Sequence, residues 1–279
     1  MNLYIIGNGF DLMHNLPTKY FNYAKFCLEC DHELYYNMEK CFPKLNIGGL
    51  WANFENALGF PDEEYMLQNI KKNEQTQRDG EICIDISRLR MTFGKWVKTL
   101  NNLIDVVADI KIDRYFDLNN SDMFLTFNYT NVLEKIYKID SKRIIHIHGG
   151  GKELYDIQKS DICYSGYIFG HGEEISTVPH LIENHEHLIR EERKSLKKDV
   201  QIKRLKQDID NKLGMDNIDN IIVIGHSMAK VDYDYFKFIN GRFPEAHWTI
   251  YYHGISDKSH KIKHILECGI KNSCLISDK

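Results

Sequence analysis

Short apolar runs that stop abruptly at glycine, asparagine or histidine constrain this chain more than any other feature. Residues 2–6 stop at Gly7-Asn8-Gly9, Met123-Phe124-Leu125-Thr126 at Phe127-Asn128, 143–147 at His148-Gly149-Gly150-Gly151, and Ile221-Ile222-Val223-Ile224 at Gly225-His226-Ser227. Apolar runs of that length between turn formers read as strands buried in a sheet. Residues 247–252 and 272–276 read as two more strands, and 167–169 as a short one. Helical spacing fills the intervals at 86–110, 132–137, from about 231, and at 257–267. Strands alternating with helices imply a parallel sheet with helices on both faces. In such sheets the ligand lies outside the carboxyl ends of the strands. All four polar clusters fall on that edge and would line one crevice.

The 279 residues suit one large α/β domain carrying an insertion. From about 18 to 115 the pattern is helical, which reads as a large helical insertion acting as a lid or partner surface. Thr18, after Leu16-Pro17, reads as the N-cap of its first helix. Trp51, Phe54 and Leu58 share a helical face and read as core; a buried acid supporting the site is the lesser of the readings open for Glu55. The net charge of −4 argues against a dedicated duplex-DNA binder. The basic stretch 190–212 has nine Lys or Arg against five Asp or Glu and reads as a solvated helical face. The seven cysteines form an odd set, and the start of the chain carries no targeting signal, so reduced thiols and a cytoplasmic protein are expected. No apolar run is long enough to span a membrane.

Each cluster has its own chemistry. Gly7-Asn8-Gly9 after a strand permits close backbone approach to a pyrophosphate, although Leu12 breaks the full G-x-G-x-x-G pattern. Asp11 can hold a ribose hydroxyl or cap the turn. Asn128 can orient a water or a ribose hydroxyl, or cap the next helix. His148, before three glycines, suits a general base near neutral pH, and His146 points to the other side of its strand.

Ile5-Ile6-Gly7-Asn8-Gly9-Phe10-Asp11-Leu12, with Leu16-Pro17-Thr18 behind it, resembles the opening of the AbiH abortive-infection family of bacterial phage-defence proteins. Trp51-Ala52-Asn53-Phe54-Glu55, Thr126-Phe127-Asn128-Tyr129-Thr130-Asn131, His146-Ile147-His148-Gly149 and Ile224-Gly225-His226-Ser227 with Val231-Asp232 continue the likeness in order. That family in turn resembles the sirtuin-type, Rossmann-like NAD-binding fold. The resemblance implies phosphate contact for Gly7 and Gly9, ribose or water contact for Asn128, and a general base at His148. It implies adenosine contact for Gly225 and Ser227, with Asn8, Phe10, Asp11, Thr126, Tyr129 and His226 around the ligand. Asp11 and Tyr129 depart from the sirtuin pattern. The paired Cys-x-x-Cys zinc ribbon of sirtuin deacylases is also missing, since only Cys163 falls in that interval. The expectation is therefore hydrolysis of NAD as substrate to nicotinamide and ADP-ribose, with no metal and no cofactor required. A phage trigger, a partner protein or self-association would supply its regulation.

Other readings are weighed beside it. Cys27-Leu28-Glu29-Cys30 with His32 and Cys41 has half a zinc spacing and reads as core thiols. His260 and His264 lack the glutamate of a metalloprotease helix, and His180, His185 and His187 read as surface residues. Gly170-His171-Gly172 reads as a glycine turn or a pocket wall. Gly225-His226-Ser227-Met228-Ala229 nearly matches G-x-S-x-G, with Asp232 or Asp234 and then His247 or His253 in triad order, which makes a serine hydrolase the enzymatic rival. A nuclease using the basic stretch, or a non-catalytic nucleotide or ADP-ribose sensor, completes the set.

Overall fold

The computed structural model describes residues 1–42, 50–52, 54–76, 84–108, 115–150, 167–172, 186–198, 200–213 and 217–278. Asn53, Gly80, Cys83, Gly151, Cys163, His180 and His185, on which parts of the reading above rest, lie outside them. The chain divides into two compact units. One comprises Met1–Thr18, Val97–Tyr167 and Val200–Lys279; the other comprises Lys19–Trp96 and Ile168–Asp199.

The first unit is built on strands β1 (Asn2–Ile6), β2 (Met123–Thr126), β3 (Ile144–His146), β4 (Asn220–Ile224), β5 (His247–Tyr252) and β6 (Ser273–Ser277). They form one sheet in the order β3-β2-β1-β4-β5-β6, and every pairing is parallel. This is the strand order of a Rossmann-type doubly wound sheet. β1 sits in the middle, with Leu3 in register with both Met123 and Ile221.

Successive residues of a strand face opposite sides, and the core follows that rule. Leu3 and Ile5 pack with Val223 against Leu205, Ile209, Tyr235, Phe236 and Ile239. Those side chains come from α9 (Ile202–Leu213) and α10 (Tyr233–Arg242). Tyr4 and Ile6 pack on the other side with Phe10, Ile104, Val132 and Leu133. These belong to α1 (Asn8–Met13), α6 (Ile86–Ala108) and α7 (Val132–Lys135). Each fully buried aliphatic side chain contributes roughly 1.5–3 kcal/mol, so central strands buried on both faces dominate the stability of this unit. The helix after β5, α11 (Gly254–Glu267), adds Ile265 to the first of these layers.

The second unit is helical, with α2 (Tyr20–Cys30), α3 (His32–Cys41), α4 (Phe54–Ala57), α5 (Glu63–Thr76), the start of α6, and α8 (Glu186–Ser195). Its core is aromatic. Tyr23 lies 5.2–5.9 Å, centroid to centroid, from Trp51, Phe54, Phe93 and Trp96. Trp51, Phe54 and Leu58 are all buried, as their spacing predicts.

Several local expectations are corrected. Gly7-Asn8-Gly9 is no free-standing turn: Gly7 is the extended residue before α1, and the helix begins at Asn8. Thr18 does not cap α2, whose N-cap is Lys19 without a side-chain bond; the Thr18 N–H donates to the Leu16 carbonyl. Residues 167–169 form no strand. The basic stretch 190–212 is two helices, α8 and α9, because the backbone between them pairs elsewhere. The His171 N–H donates to the Leu196 carbonyl at 3.1 Å, and the Lys198 N–H to the His171 carbonyl at 3.0 Å. Cys27, Cys30, Cys268 and Cys274 are free thiols, but Cys41 is disulfide-bonded, so the all-thiol expectation fails there.

Candidate functional site

β1 and β4 are neighbours in space although the chain makes β2 and β3 between them. Their carboxyl ends mark the point where the winding of the sheet reverses, which is where ligands bind in sheets of this type. The two turns there are locked together. The Gly7 N–H donates to the Ile224 carbonyl at 3.0 Å, and the Gly9 N–H to the Gly225 carbonyl at 2.7 Å. Gly225 has φ +64°, and a Cβ on it would lie 2.1 Å from the Phe10 nitrogen. The Cβ directions of Gly7 and Gly9 are filled by the Gly225–His226 backbone. These glycines thus permit backbone-to-backbone contact between two loops.

The segment after β2 joins the same place. Asn128 Nδ2 donates to the Gly7 carbonyl at 3.0 Å and to Asp11 Oδ1 at 2.9 Å. Thr130 Oγ1 donates to Asp11 Oδ2 at 2.7 Å, and the Asn128 N–H donates to Thr126 Oγ1 at 3.1 Å. Both amide protons of Asn128 therefore serve protein acceptors, which leaves its carbonyl oxygen as the group able to address a ligand or water. Asp11 is 1 % exposed, and both of its oxygens accept. Burial pushes its carboxyl up to about 7, against the opposing pull of Thr130, Asn128 and His146. Its side chain organises the site from within, and the Asp11 carbonyl caps the α1 end through the His14 and Leu16 N–H groups.

His148 follows β3 and is buried. Its ring meets Phe127 edge-on at 5.0 Å and lies 6.3 Å from Tyr129 and 5.8 Å from Tyr235. His226, after β4, meets the same Phe127 ring at 4.3 Å. The His226 Nδ1 accepts the Met228 N–H at 2.8 Å. Asp232, in the single turn of 3-10 helix before α10, lies between the two imidazoles. His146 does point to the other side of its strand, where Nε2 meets Glu134 Oε1 at 2.8 Å.

The predicted residues Gly7, Asn8, Gly9, Phe10, Asp11, Thr126, Asn128, Tyr129, His148, Gly225, His226 and Ser227 thus all lie at or just beyond the carboxyl ends of β1 to β4. Phe10 is turned into the core. Ser227 is exposed. The sequence marks Asp232 as a candidate triad acid and as part of the Val231-Asp232 likeness, with no role beside a histidine; its place beside His148 follows from the turn that returns the chain after β4.

Neither downstream histidine of the hydrolase reading addresses Ser227. His247 is the first residue of β5, in register with Asn220 at the amino end of β4. At about 3.3 Å per residue, that puts it on the order of 13 Å or more from the carboxyl edge. His253 is exposed and faces Asp278 at 3.2 Å. In the basic stretch Lys194, Lys197, Lys203 and Lys206 are exposed, as on a solvated helical face, while three other cations address protein acceptors. Arg193 is buried against the Gly59 carbonyl, Lys198 bonds Glu55, and Lys212 Nζ donates to the Ser141 and Ile144 carbonyls. Glu55 also accepts from the Tyr20 hydroxyl within the second unit. Buried His171 donates from Nε2 to the Arg193 carbonyl there. Among the described residues, no group of three or more His, Cys, Asp or Glu can hold a metal ion, and no helix is long and apolar enough to cross a membrane.

The sheet order and the four converging loops define an α/β protein of the Rossmann type with a polar site at its switch point. Residues 3–252 match the family described as bacteriophage abortive infection AbiH, and the chain belongs to that family. Its role is in abortive infection of phage-infected bacteria. No curated protein matches it.

Proposed function

We propose that the protein serves abortive infection by hydrolysing NAD to nicotinamide and ADP-ribose, on a sirtuin-like variant of the Rossmann sheet. The observation that carries the reading is the tie from Asn128 to Gly7 and Asp11 across the β1–β2 edge, beside buried His148. It puts an amide carbonyl and an imidazole at the switch-point crevice, where dinucleotides bind in doubly wound sheets. In the reaction the bond from ribose C1′ to the nicotinamide nitrogen breaks, and nicotinamide leaves with the bonding electron pair. A water oxygen bonds to C1′, and the water's proton passes to His148. The Asn128 carbonyl orients that water or the adjoining ribose hydroxyl. Positioning and electrostatics supply most of the acceleration in such a step.

The test is to incubate purified protein with NAD and to measure nicotinamide and ADP-ribose. Loss of a positioned general base removes about 10²–10⁴ of rate, so His148→Ala and Asn128→Ala are expected to lose turnover while still folding cooperatively, with unfolding midpoints lowered because each truncates a buried, partnered side chain. Full activity in His148→Ala would move the chemistry elsewhere. NAD binding without nicotinamide release would replace the enzyme with a nucleotide sensor.

A further inference from the structure

Three buried side chains lie in line at the carboxyl edge, and the reaction above uses only the first of them, His148. His148 Nε2 lies 3.9 Å from Asp232 Oδ1, and His226 Nε2 lies 3.6 Å from Asp232 Oδ2, with side-chain exposures of 3 %, 4 % and 9 % for His148, His226 and Asp232. The protonation pattern of one ring is set by the backbone. Because the Met228 N–H donates to His226 Nδ1, that nitrogen holds a lone pair, and the neutral ring carries its proton on Nε2, facing Asp232. The Met228 N–H is itself aimed by unusual geometry, since Gly225 and Met228 both adopt left-handed φ values, +64° and +56°. The ring is further clamped edge-on between Phe127 and Phe236, at 4.3 and 5.1 Å. His226 is thereby a fixed group directed at one oxygen of Asp232, and the other oxygen faces His148.

We infer that Asp232 and His226 are positioning residues for His148, in a relay where the Met228 backbone bonds His226 and the Asp232 carboxylate, facing both Nε2 atoms at ion-pair rather than hydrogen-bond distance, favours the proton of His148 on Nε2 and leaves its Nδ1 as the basic nitrogen. The logic is that of a carboxylate fixing the tautomer and orientation of a general-base histidine. This rests on the proposed use of His148 as a base. It also reassigns the His226 side chain from ligand contact to support, since both of its nitrogens address protein groups. Asp232 before α10, Tyr129 after β2 and Tyr235 on α10 face His148, and His226 after β4 faces the other oxygen of Asp232.

The test is a long-range nitrogen–proton NMR spectrum of the histidine rings in the full ¹⁵N-labelled chain without substrate, with His148→Ala and His226→Gln used for assignment. Both neutral rings are expected as Nε2–H tautomers in the wild type. In Asp232→Asn the volume is kept and the charge removed, so His148 is expected to become a tautomer mixture with a lower titration midpoint, and NAD cleavage to fall on the order of 10²–10⁴-fold. An Nδ1–H tautomer for wild-type His148 would overturn the relay, whether or not the variant folds. So would an Asp232→Asn chain with unchanged His148 titration and unchanged rate. Because the spectrum is read without substrate, a wild type that cleaves no NAD counts against the reaction alone, and the tautomers still decide the relay.

Discussion

Asp11 is a buried carboxyl that accepts two hydrogen bonds yet titrates near neutrality, at about 7, because desolvation outweighs its partners. The unfolded side chain releases its proton near 3.8. Between those values the native state holds a proton that the unfolded state has lost. This contribution to stability is therefore fully present below about pH 4 and is lost as pH rises through about 7. Asp11→Asn removes the titration while preserving geometry, since its Oδ1 can still accept from Asn128 and its Nδ2 can donate to Thr130 Oγ1. In urea unfolding, Asn at this position is expected to gain about 1–4 kcal/mol relative to wild type between pH 4.5 and pH 7.5. An equal difference at both pH values would contradict the assignment. Ser227 separates the rival chemistries. Exposed and without a histidine base from downstream, it is expected to contribute one ligand hydrogen bond, worth about 0.5–1.5 kcal/mol. Ser227→Ala should therefore raise KM for NAD several-fold with kcat retained, and a fluorophosphonate probe should leave the wild type unlabelled. Labelling that disappears in Ser227→Ala would favour the hydrolase.

The turn from β1 into α1 and the loop after β4 behave as one structural piece, because glycine backbones replace side chains at their contact. At Gly225 a methyl group meets both a left-handed backbone and the Phe10 nitrogen, and neither can yield. Gly225→Ala is expected to destabilise the chain by at least ~3 kcal/mol. Gly241, inside α10, has nothing within 4 Å of its Cβ direction. Gly241→Ala is expected to be neutral or stabilising by up to ~1 kcal/mol. Paired denaturation curves check both, and a tolerated Gly225→Ala would show that the two loops are not interlocked.

In the first unit as a whole, six parallel strands bring segments more than a hundred residues apart to one edge, so loss of any one loop should disable the same activity. Cells expressing the His148→Ala chain are expected to lose phage protection along with NAD depletion on infection. Protection that persists in that variant would detach defence from this site. The proposed chemistry uses an amide, an imidazole and water, and EDTA is expected to leave the rate of NAD cleavage unchanged. A chelator-sensitive rate would require metal chemistry that the proposal lacks.

Local pattern was enough to read the six strands, because buried runs such as Ile221–Ile224 and punctuation such as Gly225 act through neighbours in the chain. The parallel sheet and the set of loops on its carboxyl edge follow from the alternation of elements. Pairings remote in the chain were not legible. The Asn128 bonds to Gly7 and Asp11 span 121 and 117 residues, and nothing in either segment specifies the other. Asp232 illustrates the same limit: in the sequence it stands in triad order after Ser227, whereas the left-handed loop after β4 turns it toward two imidazoles. The break between α8 and α9 was equally hidden, since good helix formers at 196–198 yield to backbone pairing with His171. Periodicity and turn chemistry are local energies carried by each segment. The partner of a buried polar group is chosen by which distant segment the folded sheet brings within hydrogen-bond reach, where an unpaired group would be costly.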